Sequence, residues 1–141
     1  MSLPSPGPVV VDTGVFGARL TPAGHDVSFA YRTLLEGRPA IVSYVTVAEL
    51  RFGATLAGWG IRRLQRLDEL LARVETVCPN LTEVYVALRV WCVQMGHGLG
   101  QKEHEADRWV AATALWLGVP LVSHDAIFDA VTGLELLTRL S

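Results

Sequence analysis

The tetrapeptide Val9-Val10-Val11-Asp12 decides how this chain is built. Three consecutive β-branched residues without a polar neighbour are typical of a short central strand in a parallel sheet, where both faces of the strand are covered. An acidic residue then stands at the C-terminal end of the strand, which is the edge where open parallel sheets carry their working sites. The stretch therefore predicts a buried strand that delivers the carboxylate of Asp12 to a functional edge.

Short apolar strands alternate with helices along the rest of the chain. A helix over 25–36 ends at Gly37, Pro39 prevents its continuation, and a second buried strand follows at 40–43. The remaining predicted elements are helices at 46–56 (opened by Thr46), 61–74, 82–97 and 105–117, a strand at 121–123 and an edge strand at 134–137. Because consecutive parallel strands need helical crossovers, the alternation predicts the α/β class: a three-layer α/β/α sandwich with a mainly parallel central sheet.

Amino-acid composition and net charge limit the classes of protein to which the chain can belong. With 141 residues, of which 50% are apolar and 18% charged, the chain is expected to form one domain at 9–141 behind a loose Pro/Ser/Gly-rich tail at 1–8. The formal charge of -2 argues against wrapping nucleic acid by overall attraction, although it is compatible with a local basic rim. No apolar run reaches the ~20 residues of a membrane span, and the tail lacks a secretory signal, so we expect a cytoplasmic protein. Cys78 and Cys92 are expected to be buried reduced thiols.

Four acidic residues are predicted to gather at the C-terminal edge of the sheet. Asp12 and Asp125 follow strands, whereas Glu49 and Asp107 lie in the first turns of helices. Carboxylates so close together repel one another unless cations lie among them, and oxygen ligands suit Mg²⁺ or Mn²⁺ rather than zinc. Each acid also has a structural explanation: a turn for Asp12, a capping box with Thr46 for Glu49, the helix dipole for Asp107 and a helix cap for Asp125. Four unrelated capping roles would not need to converge, so the joint pattern favours a metal site.

Four segments carry a resemblance to a known family. They are VVVDT at 9–13, SYVTVAELRFG at 43–53, ADRWVAATAL at 106–115 and PLVSHD at 120–125. In their order and approximate spacing they resemble the PIN domain of VapC-type toxins over nearly the whole chain after the tail. The third segment is the most specific of the four, whereas the first alone would be a weak signal.

The resemblance implies a Mg²⁺- or Mn²⁺-dependent endoribonuclease, the toxin of a bacterial toxin-antitoxin pair, which a cognate antitoxin inhibits by wrapping the toxin and blocking its acidic pocket. It implies catalytic and metal-ligating roles for the four acids, with Asp125 at a position that the family fills with either Asp or Asn. It also implies a homodimer. Thr13 and Ser123 stand beside the acids in the matched segments, where they could bond a metal-bound water or cap the local backbone.

RNA binding would need a basic rim around these acids. The candidates for this rim are Arg51, Arg62, Arg63 and Arg108. For Arg62 and Arg66 taken singly, an ordinary solvated helix charge is the preferred interpretation. Trp59 could stack on a base or bury itself in a partner. Among the histidines, His124 beside Asp125 is the one placed to act as a general base, and a solvated surface role is its alternative.

Other functions fit parts of this pattern. A catalytically inactive PIN scaffold that serves as an interaction module is disfavoured by acids at all four matched positions. A phosphotransfer domain would want a lysine near the site or a second Asp two residues after the first, but Lys102 is the only lysine and Gly14 occupies that position. A DNA-directed nuclease of the same fold is chemically close, because metal-assisted hydrolysis does not require the 2′-hydroxyl, yet the small chain without helical-arch insertions disfavours it.

Overall fold

A parallel sheet of five strands, in the order β3-β2-β1-β4-β5, forms the centre of the structure. The computed structural model describes residues 6–77 and 80–140. In chain order the strands are β1 Val9–Val11, β2 Ala40–Ser43, β3 Glu75–Val77, β4 Leu121–Val122 and β5 Leu136–Leu137. β1 lies in the middle, with Val10 opposite Ile41 on one side and Leu121 on the other, and every described pairing is parallel. The predicted α/β class and the central position of the valine run are both confirmed.

Six α-helices in the described part of the chain connect the strands. They are α1 Thr13–Gly17, α2 His25–Leu35, α3 Tyr44–Leu56, α4 Ile61–Ala72, α5 Thr82–Met95 and α6 Glu105–Leu117. Short 3₁₀ turns at 18–20, 22–24, 98–100, 102–104 and 126–128 join or extend them. None of the helices described has both the length and the apolar content needed to cross a bilayer.

Helices cover both faces of the sheet and create two hydrophobic cores. Val9 and Val11 belong to the core formed with α1 to α4, whereas Val10 between them belongs to the core formed with α5 and α6. All three valines are at most 1% exposed, and full burial of such a side chain contributes about 1.5–3 kcal/mol. The predicted three-layer sandwich is therefore the observed architecture.

The start of α3 differs from the prediction. The helix begins at Tyr44 because the Ser43 hydroxyl accepts a hydrogen bond from the Val45 backbone N–H (3.2 Å) and caps the helix ahead of Thr46. Thr46 is instead a fully buried residue in the first turn. The predicted capping box between Thr46 and Glu49 is therefore wrong, which leaves the Glu49 side chain free for another partner.

The C-terminal ends of α4 and α5 also differ from the prediction. The helix predicted at 61–74 ends at Ala72, and β3 follows it and pairs with β2. Two of the three β3 side chains are exposed, so this edge strand lacks the apolar pattern that would have predicted it. α5 ends at Met95 rather than at 97, because Gly96 adopts a left-handed conformation (φ 65°) that terminates the helix.

Part of the predicted domain organisation lies outside the described residues. The division into a tail at 1–8 and a domain at 9–141 stays a prediction, since residues 1–5 and 141 are not described. Cys78 also lies outside the described residues. Cys92 is a fully buried free thiol, as predicted.

Candidate active site

One pocket at the C-terminal edge of the sheet brings the four predicted acids together. It has a volume of about 390 Å³ and is lined by Asp12, Thr13, Gly14, Val27, Glu49, Asp107, His124 and Asp125. Asp12 follows β1, Asp125 follows β4, Glu49 lies on α3 and Asp107 lies in the first turn of α6. Because β1 and β4 are neighbouring parallel strands, their ends carry two of the acids to the same edge. The two helices supply the other two acids.

Asp12 is the most deeply buried of these acids, with 7% of its surface exposed. Its Oδ1 accepts a hydrogen bond from the Thr13 backbone N–H (2.9 Å), and its Oδ2 accepts one from the Ser123 hydroxyl (2.8 Å). Burial raises the pKa of Asp12 from 3.8 to about 6; the two hydrogen bonds oppose this rise, and the charges of Asp107 and Glu49 add to it. Asp12 is also the N-cap of α1, so the structural role that we considered for it coexists with a desolvated carboxylate facing other acids.

Glu49 is held at the pocket by a chain of hydrogen bonds that includes Thr13 and Thr46. The Thr13 hydroxyl lies 2.8 Å from Glu49 Oε1 and 3.0 Å from the Thr46 hydroxyl. A hydroxyl has one proton to donate, and the carboxylate can only accept, so Thr13 donates to Glu49 and accepts from Thr46. This chain of hydrogen bonds joins α3 to α1 and holds the Glu49 carboxylate at the pocket.

Asp107 and Asp125 are held by local contacts. His104 Nδ1 lies 2.9 Å from Asp107 Oδ2, and Asp107 lies at the positive end of the α6 dipole. Asp125 Oδ1 accepts a hydrogen bond from the Ile127 backbone N–H (3.0 Å) and so caps the 3₁₀ turn, as its structural explanation predicted. The Asp125 backbone N–H donates to the Ser123 hydroxyl (3.1 Å), which joins Asp125 to the residue that contacts Asp12.

Tyr31 is fully buried, and its hydroxyl contacts Ser123, His124, Thr138 and Arg139, an arrangement that we call the hub. From α2, its hydroxyl donates to the Ser123 carbonyl oxygen (3.0 Å) and accepts a hydrogen bond from the Arg139 backbone N–H (2.8 Å). His124 Nδ1 lies 2.8 Å away and Thr138 Oγ1 lies 3.2 Å away. The hydroxyl has one proton and the carbonyl can only accept, so the bond to the Ser123 carbonyl is compatible with the His124 tautomer that carries its proton on Nδ1. The hub thus ties the pocket-lining residue His124 to α2 and to the chain after β5.

The prediction that Arg108 contacts RNA is wrong. Arg108 is 1% exposed, and its guanidinium donates to the backbone oxygens of Leu99 (3.0 Å) and Gln101 (2.6 Å) and to the Tyr85 hydroxyl (3.2 Å). One residue further along a helix means a turn of about 100°, so Arg108 faces the core while Asp107 faces the pocket. Its charge holds the 98–104 segment against α6.

The other arginines that were predicted to contact RNA differ in whether their side chains already have partners within the chain. Arg63 donates to the Leu20 carbonyl oxygen (3.2 Å) and stacks at 3.9 Å over the ring of Trp59, which is half-buried. Arg51 forms an exposed ion pair with Asp68 (3.0 Å). Arg62 is exposed, and its contact with RNA stays a prediction.

Sequence reasoning missed the positioning residues Tyr31, Thr46 and His104. His104 precedes Asp107 by three residues, a spacing that places two side chains on one helical face and could have been recognised. Thr46 lies in the 43–53 segment, but its polarity was assigned to a cap. Tyr31 gave no signal, because the side chains and backbone groups that it contacts lie 92 or more residues further along the chain.

The donor chemistry of the pocket fits a hard cation. Its acids offer carboxylate oxygens only, as Mg²⁺ and Mn²⁺ prefer, and the mutual repulsion felt by Asp12 is what a bound cation would relieve. In the described residues, no three His, Cys, Asp or Glu side chains are close enough together to form a ready-made metal cage. The four carboxylates therefore line one pocket without forming a closed coordination shell.

Fold and site together define a parallel α/β protein with an acidic pocket at its strand ends. The family model of the PIN domain matches residues 9–134, and the chain belongs to the PIN-domain family. It is 32% identical over 133 residues to Ribonuclease VapC5 of Mycobacterium tuberculosis, an alignment that covers 92% of this chain and 91% of that protein.

Solved structures share the fold. VapBC2 from Rickettsia felis, crystallised with a DNA fragment from its promoter, aligns with a TM-score of 0.76 at 20% identity, over 92% of this chain and 97% of that one. VapBC-5 from Mycobacterium tuberculosis, a member of the VapBC family of toxin-antitoxin systems, aligns with a TM-score of 0.62 at 24% identity, over 94% and 99% of the two chains. At these identities the likeness establishes the fold.

Proposed function

We propose that this chain is a VapC-type ribonuclease, the toxin of a toxin-antitoxin pair, and that it hydrolyses RNA at the acidic pocket. The observation that carries the proposal is the set of four carboxylates in one pocket, with Asp12 desolvated among them. The similarity to Ribonuclease VapC5 supports the substrate class, since it extends over 92% of the chain.

Asp12, Glu49, Asp107 and Asp125 are the residues proposed to hold Mg²⁺ or Mn²⁺. When bound, such an ion activates water for attack on a phosphodiester and neutralises charge that builds on the phosphate. Ser123 keeps the Asp12 carboxylate oriented, and Thr13 does the same for Glu49. His104 fixes one oxygen of Asp107, which leaves the other oxygen for the ion.

An antitoxin is the proposed protein partner. Three large apolar side chains in the consecutive helices α3 and α4, Phe52, Leu56 and Ile61, are each at least 68% exposed, which is costly in water and favours a covering partner. Several of the similar solved structures are toxin-antitoxin complexes, which supports this kind of partner. The cytoplasm, where RNA and a freshly made antitoxin are both present, is the proposed location.

A homodimer is proposed through α5. Val86, Val90 and Val93 follow one another at helical spacing and are 48–68% exposed, and they line a shallow apolar cavity with Tyr85. A stripe of this kind on a helix that already packs its other side in the core suits a second copy of the chain.

The test is cleavage of total RNA by the purified chain with Mg²⁺ or Mn²⁺. We expect cleavage that EDTA abolishes and that Asp12→Asn lowers by at least about 100-fold, because loss of a metal ligand removes several kcal/mol of stabilisation. Asp129→Asn is the matched control, since Asp129 is exposed and does not line the pocket.

Each contrary result would favour a different function for this chain. Cleavage that survives EDTA and Asp12→Asn would refute the metal site. No cleavage of any RNA would favour an inactive PIN scaffold that acts by binding, and cleavage of DNA alone would favour a DNA-directed nuclease.

A further inference from the structure

A second cleft, about 490 Å³ in volume, lies beside the acidic pocket. It is lined by Ala18, Arg19, Leu20, Thr21, Pro22, His25, Ser28 and Arg66. Its polar lining therefore consists of two guanidinium groups, an imidazole and two hydroxyls, and no carboxylate contributes to it. In a chain whose formal charge is -2, such a cleft is a local exception to the overall balance.

The two arginines of the cleft have no described neutralising partner. Within residues 6–77 and 80–140, the side chains of Arg19 and Arg66 form neither an ion pair nor a hydrogen bond, and both residues are exposed. By contrast, Arg51 is paired with Asp68, and buried Arg108 donates three hydrogen bonds within the chain. Arg19 and Arg66 are thus the two arginines that line this cleft, and both remain available to an external anion.

Hydrogen bonds between neighbouring elements fix the walls of the cleft. Arg63 donates to the Leu20 carbonyl oxygen (3.2 Å), which fastens α4 to the 18–20 turn that forms one wall. Arg66 follows Arg63 by three residues and therefore lies on the same helical face, directed toward the same wall. The Thr21 hydroxyl accepts a hydrogen bond from the Gly24 backbone N–H (3.2 Å), which fixes the turn between that wall and α2.

The cleft and the acidic pocket share two walls. α1 begins at the pocket with Thr13 and Gly14 and leads directly to Ala18 in the cleft, a rise of about 6 Å from Gly14 at helical spacing. On α2, Val27 lines the pocket, whereas Ser28 lines the cleft. A strand of nucleic acid that lies across the pocket and continues along α1 would pass the cleft with an adjacent part of its backbone.

From this arrangement we infer that the cleft between 18–22, α2 and α4 is a second binding site for the phosphodiester backbone of the RNA substrate, with Arg19 and Arg66 contacting a phosphate that flanks the scissile one. The inference rests on the proposed ribonuclease function. An acidic pocket repels a polyanion, so productive binding needs positive charge next to it, and unpaired guanidinium groups are suited to phosphate oxygens. Such contacts bind RNA without reading its sequence.

The experiment measures binding of a 12-nucleotide single-stranded RNA of mixed sequence in the Asp12→Asn background with Mg²⁺, so that the RNA is not consumed. Arg19→Gln and Arg66→Gln are added singly and together. We expect the double variant to bind about tenfold more weakly and the slope of log Kd against log salt to fall by about 0.7 for each phosphate that the variant no longer binds. Arg89→Gln on α5, at the opposite face of the sheet, is the control with the same change of charge as each single variant; because Arg89 lines the α5 cavity, its oligomeric state is compared with that of the native chain.

Three results would overturn the inference. The first is an unchanged Kd and salt slope in the double variant. The second is a loss in Arg89→Gln equal to that of either single variant, which would indicate general charge attraction. The third is a polyglutamate chain or inorganic phosphate alone that binds as tightly and with the same dependence on Arg19 and Arg66, which would indicate an acidic protein segment or a simple anion site. Failure of the ribonuclease proposal is separate, because it appears as absence of cleavage by the chain with native Asp12 and with both arginines intact.

Discussion

The Asp12 carboxylate makes the stability of the protein depend on pH in an unusual direction. Its pKa in the folded chain is about 6, above its ordinary value of 3.8, with burial as the main cause. The folded state therefore holds the proton more tightly than the unfolded chain, and stability falls as pH rises through the window from about 4 to about 6. The gap between the two pKa values corresponds to about 3 kcal/mol, which the ionised side chain costs the fold at neutral pH in the absence of metal.

Asp12→Asn is accordingly expected to stabilise the protein in EDTA at pH 7.5, by up to about 3 kcal/mol. This gain should vanish near pH 4, where the native carboxyl is already protonated. Urea unfolding at both pH values measures it, and Asp129→Asn serves as the exposed control. A variant that is less stable than the native chain at pH 7.5 would contradict the argument, because it would mean that the ionised form is the better accommodated one.

Single residues also show what a sequence can and cannot disclose. Asp12 could be predicted at the sheet edge, because its place after an apolar β-branched run is a local fact. Arg108 could not be assigned correctly, since its neighbour Asp107 faces the pocket while Arg108 itself meets backbone oxygens of the 98–104 segment. Which side of α6 faces which neighbour depends on packing, and two adjacent charges look alike in sequence.

At the scale of elements, Tyr31 connects α2, the turn after β4 and the chain after β5. Tyr31→Phe leaves the Ser123 carbonyl oxygen and the Arg139 N–H without their buried partner, so we expect a loss of about 1–3 kcal/mol in the free energy of unfolding. Because Ser123 also holds Asp12, RNA cleavage should fall as well. Tyr44→Phe is the matched control, since Tyr44 is 38% exposed and its hydroxyl makes no bond among the described residues.

Urea denaturation and the cleavage rate below the unfolding transition separate the two effects of Tyr31→Phe. A stability equal to that of Tyr44→Phe would show that the hub does not hold the three elements together. Normal cleavage by a destabilised variant would limit the hub to a structural role.

The elements themselves were predictable to the degree that their signals are local. α6 was predicted at 105–117 and is observed at Glu105–Leu117, because its apolar face and the terminating Gly118 (φ 67°) lie within the segment. β3 was missed, since its strand state comes from pairing with β2, more than thirty residues earlier. The same reason hid the Thr13, Thr46 and Glu49 chain of hydrogen bonds, which joins helices separated in sequence.

At the scale of the whole molecule, the two sides of the sheet are unequal. The side with α1 to α4 carries the basic cleft, while the side with α5 carries the exposed valines. A homodimer formed through α5 would leave the acidic pocket and the cleft of each copy open to RNA. The charge distribution and the apolar stripe are therefore compatible with one assembly, in which binding of a second copy and binding of substrate use opposite faces.

Val90→Glu tests this assembly, because Val90 lies in the middle of the stripe and is 48% exposed. In a symmetric dimer each copy would bring a glutamate to the interface, and burying these charges against an apolar surface costs several kcal/mol. We expect a change from dimer to monomer in light scattering after gel filtration, at a protein concentration where the native chain is dimeric. Phe29→Glu on α2 is the control, since Phe29 is 66% exposed on the other side of the sheet, and it should leave the dimer intact. If Val90→Glu remained dimeric while Phe29→Glu dissociated, the contact between copies would lie on the α2 side, where it would compete with the RNA cleft for the same surface.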